Sequence, residues 1–517
     1  MANNNTVTVS GNPVFKGKVA IIGGEADSET AEEASNNTVT ILTPVTVSGL
    51  WGGDVCHGGT STGNTLNIAA KNVVTDKVGG FQNMNFYLPS DIANGDTLLT
   101  VKGYKEEETG EISGNDLTGV TFGVAAQRGA DLAIGDTVNL VVGEQGLVTD
   151  DTLKTTTSMT VPEDIATDTN YQLGISRKDA NTIMATVTGR TLSPNDKRMA
   201  TTGKSPAETR AAVATQVNAG ADLLAGQGMS NAADAAASEQ AGRAGAAAQR
   251  AGGYAPFAAV GVSSLRAQSG SHVDTKGIGL ALGFARELKN KSGKLLVGPV
   301  LEYGHGRYDS YQDDGSKADG KSHYWGVGII AKQTNNNGLY YEGSLRIGKA
   351  KSDYGRDDAV FGRMGYDSDS TYWGVHLGIG KVQDIGHDNT LDYYGKYFYS
   401  HTGGDTVFIR GLNAMADFGA VDSHRLRVGA RVTHAVNEKN KIYGGLAYQY
   451  EFNGDARVTY NPGGTAPSPS VKGSSGMLEL GWQVKPGRSP MVIDLGVTGW
   501  AGKQRGITAN LQANWTF

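Results

Sequence analysis

One pentapeptide of the chain has the spacing of a nucleophilic serine. Gly59-Thr60-Ser61-Thr62-Gly63 matches the Gly-x-Ser-x-Gly pattern, in which a serine on a sharp turn attacks an acyl carbon, and His57 lies nearby as a candidate base. That turn requires an apolar strand before the serine and a helix after it. Residues 64–68, Asn-Thr-Leu-Asn-Ile, instead have the alternation of a strand. We therefore predict no catalytic residue and no enzymatic activity.

The sequence offers no set of residues with the spacing of a metal or cofactor site. Cys56 is the single cysteine and adjoins His57, but no second cysteine or spaced histidine accompanies the pair. We expect neither a metal nor a cofactor. The remaining histidines are expected to be ordinary loop or lumen residues: His272, His305, His323, His376, His387, His401, His424 and His434.

In the second half of the chain, apolar and polar residues alternate with a period of two. Residues 254–517 contain about a dozen alternating segments of roughly 10 residues, the length of a tilted membrane strand. Trp325, Val327 and Ile329 share one face, and charges fall on the opposite face. Because a Lys or Arg facing lipid at mid-bilayer costs about 2–4 kcal/mol, this segregation predicts an all-β protein with an antiparallel transmembrane barrel.

Three sets of barrel residues are expected to have distinct roles. Tyrosines near the segment ends predict interfacial girdles: Tyr340, Tyr341, Tyr393, Tyr397, Tyr399, Tyr448 and Tyr450. Inward glycines leave room in the lumen and ease strand curvature: Gly279, Gly283, Gly326, Gly328, Gly374, Gly378 and Gly380. Inward charges line the pore and are expected to stabilise a helix there rather than to select ions: Glu302, Glu342, Arg346, Arg425, Arg427, Arg431, Glu451, Glu479 and Asp494.

A helical region, 196–253, precedes the barrel. Ser205-Pro206-Ala207-Glu208 combines a cap residue, a proline at the first helical position and an acid three residues after the cap, so it predicts a helix start. Gly226 and Gly228 are expected to end this helix, and a second alanine-rich helix follows from Ser230 to about Arg250. Neither has a broad apolar stripe, which suits a narrow polar pore or a solvated linker. We expect the first helix to thread the pore and to contact its wall through Arg210, Gln216, Asn218 and Asp222.

Residues 1–195 repeat a short strand pattern. Asn5-Thr6-Val7-Thr8-Val9 recurs in looser form at 37–41, 44–49 and 64–68, with glycine and asparagine at the corners. Such irregular repetition favours a β-solenoid, and a β-sandwich is the alternative that the composition also permits.

Composition narrows the class of protein further. The chain of 517 residues has a net charge of -6 and 74 glycines against 13 prolines, and no apolar run reaches the ~20 residues of a membrane helix. A helical membrane protein is excluded. Met1–Val7 carry neither a basic cluster nor an apolar segment, so we expect either a truncated start or a fragment.

Several stretches together resemble the translocator domain of monomeric autotransporters, the type V secretion proteins. They are residues 270–277 at the entry to an alternating strand, residues 218–223 in the preceding helix, and the terminal Trp515-Thr516-Phe517. Residues 79–81, 86–89 and 95–99 are similar to the stem that ends many autotransporter passengers. The resemblance implies a twelve-stranded barrel with a helix in its pore, and a passenger exported to the cell surface. It also implies that Trp515 and Phe517 belong to a signal read by the outer-membrane barrel-assembly machinery.

The resemblance suggests a surface-tethered adhesion or interaction module. Some autotransporters cleave the passenger at paired asparagines of the pore helix, whereas Asn218 and Asn231 are isolated here, so we predict no cleavage. The expected partners are outer-membrane lipid, periplasmic chaperones, the assembly machinery and an unknown host or cell-surface ligand, without nucleic acid. Two alternatives stay open: a passenger enzyme encoded upstream, and a simple pore with a periplasmic amino-terminal domain.

Overall fold

The computed structural model describes residues 1–27, 32–55, 59–105, 112–150, 153–242, 253–485 and 491–515. Two compact units divide the chain, Met1–Asn195 and Asp196–Phe517. Within the described part of the chain, no helix combines the length and the apolar character that crossing a membrane requires.

The first unit consists of short strands. They are β1 (Thr6–Val9), β2 (Ala20–Ile22), β3 (Glu25–Ala26), β4 (Thr38–Ile41), β5 (Thr46–Trp51), β6 (Asp54–Val55), β7 (Thr65–Ile68), β8 (Val73–Gly79), β9 (Asn83–Leu88), β10 (Thr97–Val101), β11 (Tyr104–Lys105), β12 (Ile112–Ser113), β13 (Thr121–Ala126), β14 (Thr137–Gly143), β15 (Lys154–Pro162), β16 (Thr167–Arg177) and β17 (Thr182–Pro194).

Two parallel sheets confirm the predicted solenoid. One sheet has the order β1-β4-β7-β9-β13, and the other runs β2-β5-β8-β10-β14 before three antiparallel strands, β17-β16-β15, complete it. Thr6 pairs with Thr38 and Thr38 with Thr65, so the repeats at 5–9, 37–41 and 64–68 stack in register. The repeat at 44–49 contributes β5 and therefore belongs to the other sheet. Inward Val, Ile and Leu side chains of both sheets form one apolar core.

A ladder of buried side-chain amides joins the corners of successive coils. The backbone N–H of Asn5 donates to Oδ1 of Asn37 at 2.9 Å, and the N–H of Asn37 donates to Oδ1 of Asn64 at 2.8 Å. The N–H of Asn64 in turn donates to Oε1 of Gln82 at 2.9 Å. Since Asn37 and Asn64 are fully buried, the bonds from their N–H groups satisfy backbone groups that water cannot reach.

A long helical segment opens the second unit. It consists of α1 (Asp196–Arg198), a π-helical stretch (Met199–Gly203), α2 (Ser205–Leu223), a second π-helical stretch (Leu224–Gly228) and α3 (Met229–Gly242). α2 begins at Ser205 as predicted, but the predicted cap is wrong, because Lys204 already has helical angles and Ser205 makes no cap. The predicted stop is also wrong: Gly226 and Gly228 lie inside the second π-helical stretch, and the helix continues. Arg243 and the residues up to 250 lie outside the described residues.

The described part of the second unit contains long strands and four short ones. They are β18 (Ala255–Gln268), β19 (His272–Asn290), β20 (Gly293–Tyr311), β21 (Lys317–Asn335), β22 (Leu339–Asp358), β23 (Gly362–Gly386), β24 (Asn389–Thr402), β25 (Asp405–Ile409), β26 (Ala414–Phe418), β27 (Val421–Asn437), β28 (Asn440–Glu451), β29 (Val458–Asn461), β30 (Gly464–Thr465), β31 (Gly473–Val484), β32 (Met491–Gly502) and β33 (Gln504–Trp515).

Twelve of these strands close the predicted antiparallel barrel. Its order is β18-β19-β20-β21-β22-β23-β24-β27-β28-β31-β32-β33, and β33 pairs back onto β18, with Leu511 opposite Val260. The prediction of roughly 10 residues per strand fails for β23, which has 25. A tilted strand crosses the bilayer in about 9–11 residues, so β23 extends well beyond the membrane. Strands β25, β26, β29 and β30 form a separate four-stranded sheet from two long connections, 403–420 and 452–472.

The predicted facing is correct for the apolar side chains of the outer wall but not for every charge, because several exposed lysines and arginines share that face. Trp325, Val327 and Ile329 are 52%, 47% and 60% exposed, as expected of side chains that contact lipid. The girdle prediction fails for Tyr340, which is buried in the lumen and donates to Asp392. Adjacent strand residues point to opposite faces, so only Tyr341 of that pair reaches the outer surface.

Candidate functional site

The helix passes through the barrel from the end with long connections to the end with short turns. Near its start, Lys204 Nζ donates to Ser271 Oγ at 3.0 Å, and Ser271 lies in the connection between β18 and β19. Toward its end, Asn231 donates to the carbonyl of Ala258, near the other end of β18. The connections 291–292, 336–338 and 387–388 lie at this second end. Since outer-membrane barrels have short periplasmic turns and longer extracellular loops, the helix starts at the extracellular end.

A buried carboxylate holds the first turn of α2. Glu208 is fully buried and accepts from Ser269 Oγ at 2.7 Å and from Ser271 Oγ at 2.6 Å. Lys204 lies 3.5 Å from the same carboxylate. The capping role expected of Glu208 is therefore replaced by contacts with the barrel.

Hydroxyl groups of the barrel wall surround the same part of α2. Tyr366 donates to the carbonyl of Pro206 at 2.8 Å, and the Arg210 guanidinium donates to Ser370 at 2.7 Å and to the carbonyl of Gly403. Further hydroxyl pairs, each 2.9 Å apart, join Ser205 to Tyr354 and Thr209 to Tyr308. These tyrosines were not predicted from the sequence. The sequence feature that points to them is that positions 308, 354 and 366 fall on the inward-facing side of their alternating segments.

Amide side chains form the middle contacts. Asn218 donates to Ser423 at 3.0 Å and accepts from Ser400 at 2.9 Å. Gln216 accepts a hydrogen bond from Ser322. Both residues were predicted to contact the wall, and the structure brings each to a serine of a different strand.

One carboxylate of the helix meets two arginines of the barrel. Both carboxylate oxygens of Asp222 lie 2.9 Å from Nη1 of Arg425, and Oδ1 lies 2.7 Å from Nη2 of Arg427. The side chains of Arg425 and Arg427 are only 3% and 8% exposed. The ring of Phe398 lies beneath both guanidiniums. This is an ion pair between helix and wall, shielded from solvent.

Other predicted pore-lining charges pair with one another or accept hydrogen bonds from hydroxyl groups of the wall. Arg346 lies 2.8 Å from Glu302 and also donates to the carbonyl of Val217 at 3.4 Å, so it joins the wall to the helix. Arg431 lies 2.6 Å from Glu479. Glu451 accepts from Ser423 at 2.5 Å, and Asp494 accepts from Tyr443 at 2.9 Å.

A second multi-charge cluster surrounds Glu342. Its carboxylate lies 2.6 Å from Lys396 and 3.2 Å from Lys332, and Nε2 of His376 is 3.4 Å away. Lys396 also donates to the carbonyl of Ala225 in the second π-helical stretch, at 2.8 Å. Beside this cluster and the helix lies a polar cavity of about 320 Å³.

The inward glycines mostly make room for the wall itself. A Cβ at Gly283 would meet the ring of Phe257, and one at Gly326 would meet the hydroxyl of Tyr372. Only Gly279 among the predicted set borders the helix, where an added Cβ would lie 3.5 Å from Leu223. On the helix, Gly220 lies close to the wall, since an added Cβ there would collide with the hydroxyl of Tyr324.

The remaining sequence candidates have structural contacts or lie outside the described residues. Ser61 donates to the carbonyl of Gly53 at 3.1 Å and accepts from Asn64 at 3.0 Å, so it belongs to a coil corner. Trp515 ends β33 and pairs with Met491 of β32. Cys56, His57 and Phe517 lie outside the described residues. In the described ranges, no group of three or more His, Cys, Asp or Glu is arranged to hold a metal.

A closed antiparallel barrel with an apolar outer wall and a polar lumen filled by a helix defines an outer-membrane barrel protein. The family model of the autotransporter beta-domain matches residues 257–491. The barrel of this chain is an autotransporter β-domain, a translocator of the bacterial outer membrane.

Solved structures with a similar barrel include three autotransporter domains. The beta domain of the Bordetella autotransporter BrkA is 16% identical over 51% of this chain and 98% of its own, with a TM-score of 0.40. The translocator domain of NalP from Neisseria meningitidis is 12% identical over 51% and 88%, with a TM-score of 0.42. The transport unit of AIDA-I from Escherichia coli is 11% identical over 55% and 97%, with a TM-score of 0.41. No curated protein matches the chain.

Proposed function

We propose that this autotransporter exports its own amino-terminal β-solenoid, displays it on the cell surface and keeps it tethered there as an adhesion or interaction module. The observation that carries the proposal is the direction of the pore helix. Its first residue, Asp196, belongs to the end of the barrel with long connections, and Gly203 is held there by the hydroxyl of Tyr460. A chain that enters the pore from that end must come from outside the cell.

Folding of the solenoid outside the cell can make export favourable in one direction. Each coil adds one strand to each parallel sheet and buries Val, Ile and Leu side chains against the coil before it. Burial of apolar surface stabilises by about 25 cal/mol per Å². A coil that has folded outside cannot return through a pore that admits an extended chain or one helix, so sequential folding biases passage outward.

A stable tether follows from the contacts of the helix. Asn218 is isolated in the sequence, and its amide is held on both sides by Ser400 and Ser423. Asp222 and Glu208 anchor the helix at two further levels of the lumen. We therefore expect an uncleaved passenger. We assign the predicted pore-lining charges to holding the helix rather than to ion selection, because the Asp222 ion pair joins wall to helix.

Assembly of the barrel requires factors that recognise its last strand. β33 closes the barrel by pairing with both β18 and β32, so the barrel is complete only when this strand is in place. We assign Trp515 and Phe517 to the signal read by the barrel-assembly machinery, after periplasmic chaperones have kept the chain unfolded. Replacing both aromatic residues with alanine is expected to reduce the heat-modifiable barrel in the outer membrane, at unchanged synthesis.

Protease shaving of intact cells tests surface display. The chain is produced behind a working secretion signal, and antibodies detect residues 1–190 and the barrel separately. We expect the amino-terminal epitope to disappear while a barrel-sized, heat-modifiable band survives. Protection of that epitope until the outer membrane is permeabilised would refute export and leave a pore with a periplasmic domain. An intact passenger fragment in the medium would refute the tether alone.

A further inference from the structure

Three cations lie side by side on the outer wall of the barrel. Lys276 of β19 is directly opposite Arg307 of β20, and Arg307 is directly opposite Lys321 of β21. All three side chains are exposed. Directly opposed residues on antiparallel strands have Cβ atoms about 4.5–5.5 Å apart. We call Lys276, Arg307 and Lys321 the basic strip.

Acids lie beside the basic strip. Asp274 pairs with Arg266 at 2.6 Å and Asp309 with Lys317 at 2.8 Å, whereas the exposed Asp319, opposite Asp309, is two residues from Lys321 and forms no ion pair with it. The carboxylate of Asp353 accepts from the backbone N–H of Lys321 at 2.6 Å. Among the described residues, none of the three strip side chains forms an ion pair. Like charges directly opposite each other destabilise a sheet, so an external anion at this place would relieve the repulsion.

The residues next to the strip form a gradient from polar to apolar. One position closer to the membrane centre, His305 pairs with His323 across β20 and β21. The next pair is Tyr303 with Trp325, which are 45% and 52% exposed, and then Leu301 with Val327. Aromatic residues mark the membrane–water interface of such barrels. The basic strip therefore lies just outside the apolar belt, at the headgroup level of the leaflet that faces the long loops.

We propose that the basic strip binds a phosphate-bearing lipid headgroup of the outer leaflet. Charge decides the class of ligand, because three adjacent cations without carboxylate partners suit a multiply charged anion. The position selects a lipid over a soluble anion, since the apolar side chains of Leu301 and Val327 continue the same stripe toward the membrane centre, where acyl chains lie. Lys and Arg contribute about 1 kcal/mol each near an anionic lipid surface.

The test uses the purified full chain folded in neutral detergent. Bisphosphorylated lipid A is titrated into the micelles, and complexes are counted by native mass spectrometry. The strip variant carries K276Q, R307Q and K321Q. The matched control carries R363Q, R410Q and R457Q, which remove the same charge from exposed cations of the same barrel end; Arg363 and Arg410 each lie within 4 Å of a carboxylate. Enzymatically dephosphorylated lipid A and inorganic phosphate serve as further probes, and heat-modifiable gel mobility verifies folding.

We expect the strip variant to bind bisphosphorylated lipid A about 100-fold more weakly than the wild type, equivalent to roughly 2.8 kcal/mol, and the control to bind nearly as well as the wild type. Equal losses in both variants would overturn the site, because net charge alone would then explain binding. Binding of inorganic phosphate at the same concentration, or undiminished binding of the dephosphorylated lipid, would overturn the assignment to a lipid phosphate. If the triple variant does not fold, the single R307Q variant decides, with at least a threefold loss expected and an unchanged affinity refuting the proposal.

Discussion

Removing the charge of Asp222 is expected to release the helix from the pore. The Asp222→Asn substitution preserves size but leaves the guanidiniums of Arg425 and Arg427 without the carboxylate they share, in a site where they are 3% and 8% exposed. Breaking a buried ion pair by removing one partner costs about 3–5 kcal/mol. Because the Asp222 side chain itself keeps 16% of its exposure, we take the lower end, about 3 kcal/mol.

That free energy predicts a large change in helix occupancy. About 3 kcal/mol shifts the equilibrium between docked and undocked helix by roughly 100-fold. The assay is the conductance of the full chain in planar lipid bilayers, recorded as the fraction of time that each molecule is open. We expect rare openings for the wild type and openings about two orders of magnitude more frequent for Asp222→Asn.

A matched control separates this ion pair from a general effect of charge. Asp234 also lies on the helix and faces the wall, but its carboxylate accepts a hydrogen bond from a neutral amide, that of Gln483, at 3.2 Å. Asp234→Asn removes the same charge without leaving buried arginines, so we expect an open fraction close to that of the wild type. Equal open fractions in the two variants would contradict the assignment of helix docking to the Asp222 ion pair.

Three further predictions follow from packing. Gly220→Val should collide with the barrel wall and raise the open fraction, whereas Gly226→Ala, where a Cβ meets nothing within 4 Å, should not. Asn64→Ala should destabilise the solenoid by about 1–3 kcal/mol, since it leaves a buried backbone N–H unpaired. Limited proteolysis of the full chain should then cleave it faster than Asn67→Ala, which lies on the outer face. Val327→Lys should cost about 2–4 kcal/mol at the lipid face and reduce the heat-modifiable barrel; undiminished folding would contradict its place in the apolar belt.

The barrel could be predicted because a charged side chain that faces lipid costs free energy. Outward residues such as Trp325 and Val327 had to be apolar, so the period of two identified both the strands and their inner face. Strand length could not be predicted in the same way. Beyond the bilayer the lipid penalty ends, so outward residues of β23 such as Asp367 and Asp369 still alternate with buried residues but are polar.

The sequence predicts that polar residues of the helix contact the barrel wall, but it does not predict which wall residue each one contacts. Polar residues such as Asn218 and Asp222 had to meet polar groups of the lumen, because a buried polar side chain without a partner costs free energy. Which wall residue each one meets depends on the rotation and height of the helix, and neither is encoded locally. The missing cap at Ser205 has a related cause: the barrel wall supplies hydrogen bonds that a free helix would need from a cap.

The spread of polar contacts along the helix fixes its register in the lumen. Glu208 and Asp222 are 14 residues apart in the sequence, or about 21 Å along an α-helix. Sliding the helix by one residue moves every side chain by about 1.5 Å and turns it by about 100°, which separates both carboxylates from their partners at once. An apolar helix of alanines would have many positions of similar energy. Buried ion pairs contribute little net stability but can specify one arrangement, so we infer that these two carboxylates stop the exported chain at a single position in the pore.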